Sequence, residues 1–103
     1  MDDVLSPPIA FEWDAGNQIK KEKHQVRATE AEESFFDPRK KWFPDPRHSD
    51  RETRLILLGK TVRGRILFIV FTMRVGRVRI ISARDLNARE RKLYEEKITS
   101  SKV

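Results

Sequence analysis

The sequence predicts an α+β domain built on a three-stranded antiparallel meander, and three observations carry that prediction. The stretch 51–85 contains three apolar runs, Leu55–Leu58, Ile66–Phe71 and Val78–Ala83, rich in β-branched and aromatic residues. Glycines 59, 64 and 76 fall in the breaks between the runs, where turns are needed. Helix-start signals lie on either side of the meander and not within it. Helices segregated against one antiparallel sheet define the α+β class.

Taken in order, residues 1–8 contain Pro7-Pro8 and read as a frayed leader. Ile9-Ala10-Phe11-Glu12-Trp13 alternates large apolar side chains with small or polar ones, which suits a short N-terminal edge strand. Asp14 stands at a helix N-cap position with Asn17 three residues on, so a polar helix is expected over 15–24. Its outer face would carry Lys20, Lys21 and Lys23, and His24 would close it where the helix dipole favours a cation.

Thr29 and Glu32 have the spacing of a capping box, predicting a second helix that runs through Ala31, Glu33, Phe35 and Phe36 and stops at Asp37-Pro38. The next segment, 39–50, is loop-like, with prolines at 44 and 46; Trp42 and Phe43 are expected to form a short strand or to pin the loop to the core. In the meander, the first strand is placed at 53–58 and the first turn at 59–64. Strand 65–73 is apolar at every position from Ile66 to Phe71, so both its faces must be covered and it is the central strand. Arg74-Val75-Gly76-Arg77 is the second turn. On the last strand, simple alternation puts Val78, Ile80 and Ser82 on one face and Arg77, Arg79, Ile81 and Ala83 on the other.

Asn87 and Glu90 signal a last helix over 88–97, anchored by Leu93, with Arg91 and Glu95 able to pair one turn apart. The expected order is β-α-α-β-β-β-α in a single domain, 9–98, followed by a tail, 99–103. No repeat is present.

Charge separates the two halves. Residues 1–50 hold 8 basic and 11 acidic side chains, a balance of −3; residues 51–103 hold 14 and 5, a balance of +9. Nine Lys or Arg residues occupy 51–84, with no acid between Glu52 and Asp85. A basic half on a small domain is the electrostatic footprint of a nucleic-acid ligand. A solvated basic face, or one turned to an acidic protein, is the alternative.

The chain has no cysteine and two histidines, His24 and His48, so neither a thiolate nucleophile nor zinc chemistry is expected, and no cofactor is implied. Glycine-rich phosphate loops, HExxH and GxSxG are absent. No run reaches the roughly 18 apolar residues of a membrane span and no signal-peptide pattern opens the chain, so no membrane partner and a cytoplasmic location are expected.

One reaction suits cations, imidazole, hydroxyls and single carboxylates. RNA carries its own nucleophile, the 2′-hydroxyl. Cleavage then needs a base for that hydroxyl, an acid for the departing 5′-oxygen and cations for the charge that builds on phosphorus. His24 is the candidate for proton transfer. Arg79 and Arg84 are candidates for forked bonds to phosphate. Tyr94 offers a hydroxyl or a stacking face. Each also has an ordinary structural reading: a helix-end cation for His24, a solvated face for Arg79, a strand-end cap for Arg84 and a packed ring for Tyr94. Lys20, Lys23, Arg65 and Arg77 are candidate RNA contacts.

Several blocks resemble the BrnT family. They are FEWD at 11–14, the lysine-rich segment ending Lys23-His24, EAEESFFDP at 30–38, DPRHSDRETRLILLGKT at 45–61, GRILFIVFTMR at 64–74 and, most specifically, VRIISARDLNARERKLYEE at 78–96. The resemblance implies a ribonuclease toxin of a bacterial type II toxin–antitoxin system with a RelE-like fold. It also implies growth arrest through RNA cleavage and silencing by a DNA-binding BrnA-like antitoxin. The antitoxin would act as a dimer in a heterotetramer that reaches operator DNA. The family pattern has Lys-His-Gly at the end of the first helix, whereas Gln25 follows His24 here, so the chain must turn without the usual C-cap glycine. The interval from Trp13 to His24 is also one residue shorter than in that pattern, and its mid-helix asparagine has no clear counterpart.

Overall fold

The computed structural model describes residues 9–14, 16–17, 25–47 and 53–96. Within them lie helix α1 (Ala28–Ser34), strands β1 (Lys41–Pro44), β2 (Leu55–Lys60), β3 (Ile66–Arg74) and β4 (Arg77–Asp85), and helix α2 (Ala88–Glu95). The strands form one antiparallel sheet in the order β1-β2-β3-β4. The predicted meander is β2-β3-β4, and β1 extends it by one strand. The stretch 39–47 is therefore not merely loop: Trp42 and Phe43 pair with Leu57 and Ile56.

The apolar run of β3 explains the layering. Side chains alternate across a strand. Leu67, Ile69 and Phe71 point to one face, packing with Leu57, Val78, Ile80, Ala83 and with Val26, Ala31 and Phe35 from around α1. Ile66, Phe68 and Val70 point to the other, packing with Ile56, Leu58 and Tyr94 of α2. Covering on both sides is what permits the unbroken run. On the α1 face, Phe35 sits edge-on between Phe11 and Phe71, with ring centroids 5.3 and 5.1 Å away. Such edge-to-face contacts add to the gain from burial.

Several boundaries differ from the expectation. Helix α1 starts two residues early: Arg27 is the N-cap, and the Glu30 carboxylate turns back to accept from its N–H at 3.0 Å. Thr29 is thus inside the helix. The helix also ends at Ser34, so Phe35 and Phe36 follow it; Phe35 is buried and Phe36 is exposed. Gly59 belongs to β2 and not to the turn. A Cβ there would lie 2.3 Å from the Ser34 carbonyl oxygen, so glycine is what lets the end of α1 cross β2 this closely.

The predicted N-terminal strand reduces to one parallel bridge, Phe11 to Val78 on β4, with Glu12 N–H donating to the Val78 carbonyl at 2.8 Å. Asp14 does accept from the Gly16 N–H, at 2.8 Å, and Asn17 accepts from the Asp14 N–H, at 2.7 Å. The remainder of the expected 15–24 helix lies outside the described residues. Helix α2 begins as expected: Asn87 accepts from Glu90 N–H and Glu90 from Asn87 N–H, at 2.8 and 3.0 Å. Its anchor is Tyr94, however, while Leu93 is exposed. Arg91 and Glu95 pair at 3.8 Å.

The alternation predicted for β4 is broken by a bulge. Val70 pairs with Ser82 and Phe71 with Ile80, leaving Ile81 as an extra residue. Beyond a bulge the faces resume out of phase. Ala83 therefore joins Val78 and Ile80 in the α1-side core, and Ser82 does not.

Candidate functional site

The bulge decides where the β4 arginines point. Arg79 pairs with Thr72 and Arg84 with Phe68. Thr72 and Phe68 are four residues apart on β3 and so share a face. Arg79 and Arg84 therefore leave β4 on the same side, the α2 side. Unbroken alternation would have sent an odd and an even position to opposite sides.

Each arginine is held by an internal acid. Arg84 makes a fork to Glu90, 2.8 and 2.9 Å, donates to the Asp85 carbonyl at 3.1 Å, and stacks on Phe68 with 4.0 Å from guanidinium carbon to ring centroid. The Arg84 guanidinium holds the Glu90 carboxyl below its usual range, with the Asn87 N–H adding to the effect against the cost of burial. Arg79 forks to Asp14 at 3.0 and 3.0 Å and reaches Glu12 at 3.2 Å. Its bond to Asp14, then that of the Gly16 N–H, lowers the Asp14 carboxyl as well. Trp13, between those acids, donates to Glu32 of α1 at 2.6 Å, which fixes the segment that holds Arg79.

Arg65 ties three regions together. It forks to Asp85 at 2.7 and 3.1 Å, reaches Glu30 at 3.2 Å and donates to the Gln25 carbonyl at 2.9 Å. Arg77 is exposed at the start of β4, beside the Val75-Gly76 hairpin tip. Tyr94 is buried and its hydroxyl donates to Asp37 at 2.6 Å. Burial, with that carboxylate beside it, pushes the phenol well above its ordinary range. Tyr94 thus stays protonated and is not a base, and its one O–H is committed to Asp37. His24, Lys20 and Lys23 lie outside the described residues.

Asp37, which the sequence marked only as a helix stop, proves to be a junction. One oxygen accepts from the Arg39 N–H at 2.9 Å, and the other from the Lys60 N–H at 2.8 Å and from Tyr94. No local pattern distinguishes it, because its partners lie 23 and 57 residues away. A cleft of about 560 Å³ opens beside Tyr94, lined in part by Arg39, Lys41, Lys60 and Arg91. Lys41 is engaged there by the end of α2, donating to the Leu93 and Glu96 carbonyls at 2.7 and 2.6 Å.

A small α+β domain with a basic half and arginines gathered on one sheet face has the equipment of a polyanion-binding protein. The family model for the ribonuclease toxin BrnT of type II toxin–antitoxin systems matches residues 13–90, and the chain belongs to that family. It is an endoribonuclease toxin, with RNA as substrate and a protein antitoxin as partner. No curated protein matches the chain. The match spans Arg65, Arg77, Arg79, Arg84 and the segment with Lys20, Lys23 and His24; Tyr94 lies just beyond it. Among the described residues no helix is long and apolar enough to cross a membrane.

Proposed function

We propose that this toxin cleaves RNA without a metal, on the face of the sheet from which Arg79 and Arg84 project. The ribose 2′-hydroxyl loses its proton and attacks phosphorus. The bond from phosphorus to the 5′-oxygen breaks, that oxygen takes up a proton, and a 2′,3′-cyclic phosphate remains. In this reading His24 moves a proton, Arg79 and Arg84 hold the phosphate oxygens, and Tyr94 offers its ring, or its hydroxyl once that is released from Asp37. Lys20, Lys23, Arg65 and Arg77 steer the flanking backbone. The observation that carries the reading is the β4 bulge, which brings Arg79 and Arg84 to one side. A nucleophile supplied by the substrate requires no metal-bound water, and a chain without cysteine and with two histidines offers few soft ligands.

The partner we propose is a BrnA-like antitoxin, joined as a dimer in a heterotetramer that represses through operator DNA. An acidic segment of such a protein would compete with RNA for the same cations.

The test is incubation of the purified chain with RNA in EDTA. Cleavage to ends bearing a cyclic phosphate, lost in His24→Ala, is expected. Intact RNA, together with unimpaired growth on expression, would overturn the proposal. A second reading has its own support, since Arg79 and Arg84 already hold carboxylates: the face binds nucleic acid or antitoxin without cutting. It predicts salt-sensitive binding and no effect of His24→Ala.

A further inference from the structure

Three arginines of the charged network, Arg65, Arg79 and Arg84, each grip a carboxylate. Arg54 does not. It stands just before β2, half-buried, and its Nε is a buried donor with no acceptor among the described residues. Its guanidinium makes neither a hydrogen bond nor an ion pair with a described residue. A cationic N–H taken from water and given no acceptor destabilises the fold that holds it. An arginine cannot escape by losing its proton. The position therefore favours any anion toward which the side chain can turn.

The register places that anion. The β2–β3 ladder ends at Leu55 and Phe71; carried on by one residue, its register sets Arg54 beside Thr72, which pairs in turn with Arg79. Position 54 shares the α2 face with Ile56 and Leu58 of its own strand. Arg54, Thr72 and Arg79 thus form one row across three strands, and neighbouring strands put the backbones of the two arginines roughly 10 Å apart. Thr72 spends its hydroxyl on the Thr53 carbonyl at 2.8 Å, which ties the row to the strand that presents Arg54. The Arg54 carbonyl is fixed as well, by the Asp45 N–H at 2.9 Å.

We infer that Arg54 is an RNA-binding residue of this toxin, taking a backbone phosphate next to the one held at Arg79. The inference rests on the ribonuclease site proposed above and adds to it a contact on the far side of β3. An arginine whose Nε has no acceptor among the described residues is suited to this role in a way that Arg79 is not, because RNA need displace no described carboxylate from it.

The experiment uses the full chain and a single-stranded RNA with 2′-O-methyl riboses, which binds but cannot be cut. Affinity is measured over a range of salt for the wild type, Arg54→Ala and Arg54→Lys, with thermal melting of each. Arg54→Ala is expected to weaken binding about tenfold and to reduce the slope of log affinity against log salt by about 0.7, the share of one phosphate contact on a single strand. Its melting temperature should hold or rise, because the orphaned donor is gone. Arg54→Lys should keep the salt slope and recover only part of the affinity, since a lysine restores the charge and not the fork.

An unchanged affinity and slope in Arg54→Ala would overturn the inference. So would a lower melting temperature with an unchanged slope, which marks a packing role. Loss of antitoxin binding alone, with RNA binding intact, would assign Arg54 to the antitoxin and overturn it too. If the wild type itself binds no RNA, the ribonuclease site fails and the inference falls with it. If the wild type binds and Arg54→Ala binds equally, Arg54 alone is wrong. Should Arg54→Ala fail to fold, Arg54→Lys still decides, because full recovery of affinity by lysine leaves the fork and its Nε without a function.

Discussion

The two faces of the sheet are built from the same strands and behave as different materials. The α1 face is apolar and aromatic, with Phe11, Phe35 and Phe71 packed edge to face and Leu57, Leu67 and Ile69 fully buried. The α2 face has a comparable apolar centre in Leu58, Phe68 and Tyr94. Arginines stand along its margins, at 54, 79 and 84. The first face makes the fold, and the second carries charge on a foundation the first has already secured. Substitutions should therefore separate stability from RNA handling according to face.

The largest expected effect is on the α1 face. Phe35→Ala removes the central ring of the aromatic stack and should destabilise the chain by about 3–5 kcal/mol, a common cost for emptying a buried phenylalanine site. Urea unfolding measures it. A loss below about 1 kcal/mol would mean that this face is not the principal core, and the contrast between the faces would fail.

On the α2 face the expected loss is smaller and depends on pH. Glu90→Gln keeps an oxygen that can accept from the Asn87 N–H but removes the charge that Arg84 grips. The expected cost is about 1 kcal/mol at neutral pH, a value held down because the Arg84 side chain is 35% exposed. The sign with pH follows from the lowered folded-state pKa of Glu90. Its contribution is fully present above the unfolded value of 4.5 and fades as pH falls through the lower folded value. Urea curves of the wild type and Glu90→Gln should therefore converge in acid. A gap that persists at low pH would show that the fit or hydrogen bonding of the side chain at position 90, and not its charge, sets the difference.

The sequence announced the α1 face better than the charged one, for a physical reason. The continuous run Ile66–Phe71 demands cover on both sides, and that reading placed β3 correctly at the centre. The family and its ribonuclease activity were legible in the blocks from 11 to 96, above all in the last one. Positions that depend on one residue of phase were not. In Val78–Asp85 the apolar residues Ile80, Ile81 and Ala83 accept either phase, so the bulge at Ile81 left no local mark, and with it went the shared face of Arg79 and Arg84. Two Glu residues compete to close the start of α1, and Glu30 wins because Arg65 also holds it, a contact 35 residues distant. The burial of Tyr94 in place of Leu93 follows from Asp37, which offers the phenol an acceptor that a leucine could not use. Arg54 carries no mark in the sequence, because nothing in a strand pattern reveals a missing acceptor.

The smallest expected effect runs in the stabilising direction, at the departure from the family pattern. Gln25 has φ of 55°, in the left-handed region that glycine enters without strain. A left-handed residue is what a C-cap glycine ordinarily supplies, and here a residue with a side chain takes that conformation. The Gln25 carbonyl also accepts from Arg65, so the turn is tied directly to the charged network. Gln25→Gly removes the strain and leaves the carbonyl in place. Glycine also gains freedom in the unfolded chain, which offsets part of the benefit. The net gain should be about 0.5–1 kcal/mol in urea unfolding, with RNA affinity unchanged if the turn has only a structural part. A loss of stability would show that the glutamine side chain makes a contact worth more than the strain it carries. An altered RNA affinity at equal or greater stability would instead tie the geometry of this turn, and the His24 beside it in sequence, to the face on which Arg79 and Arg84 stand.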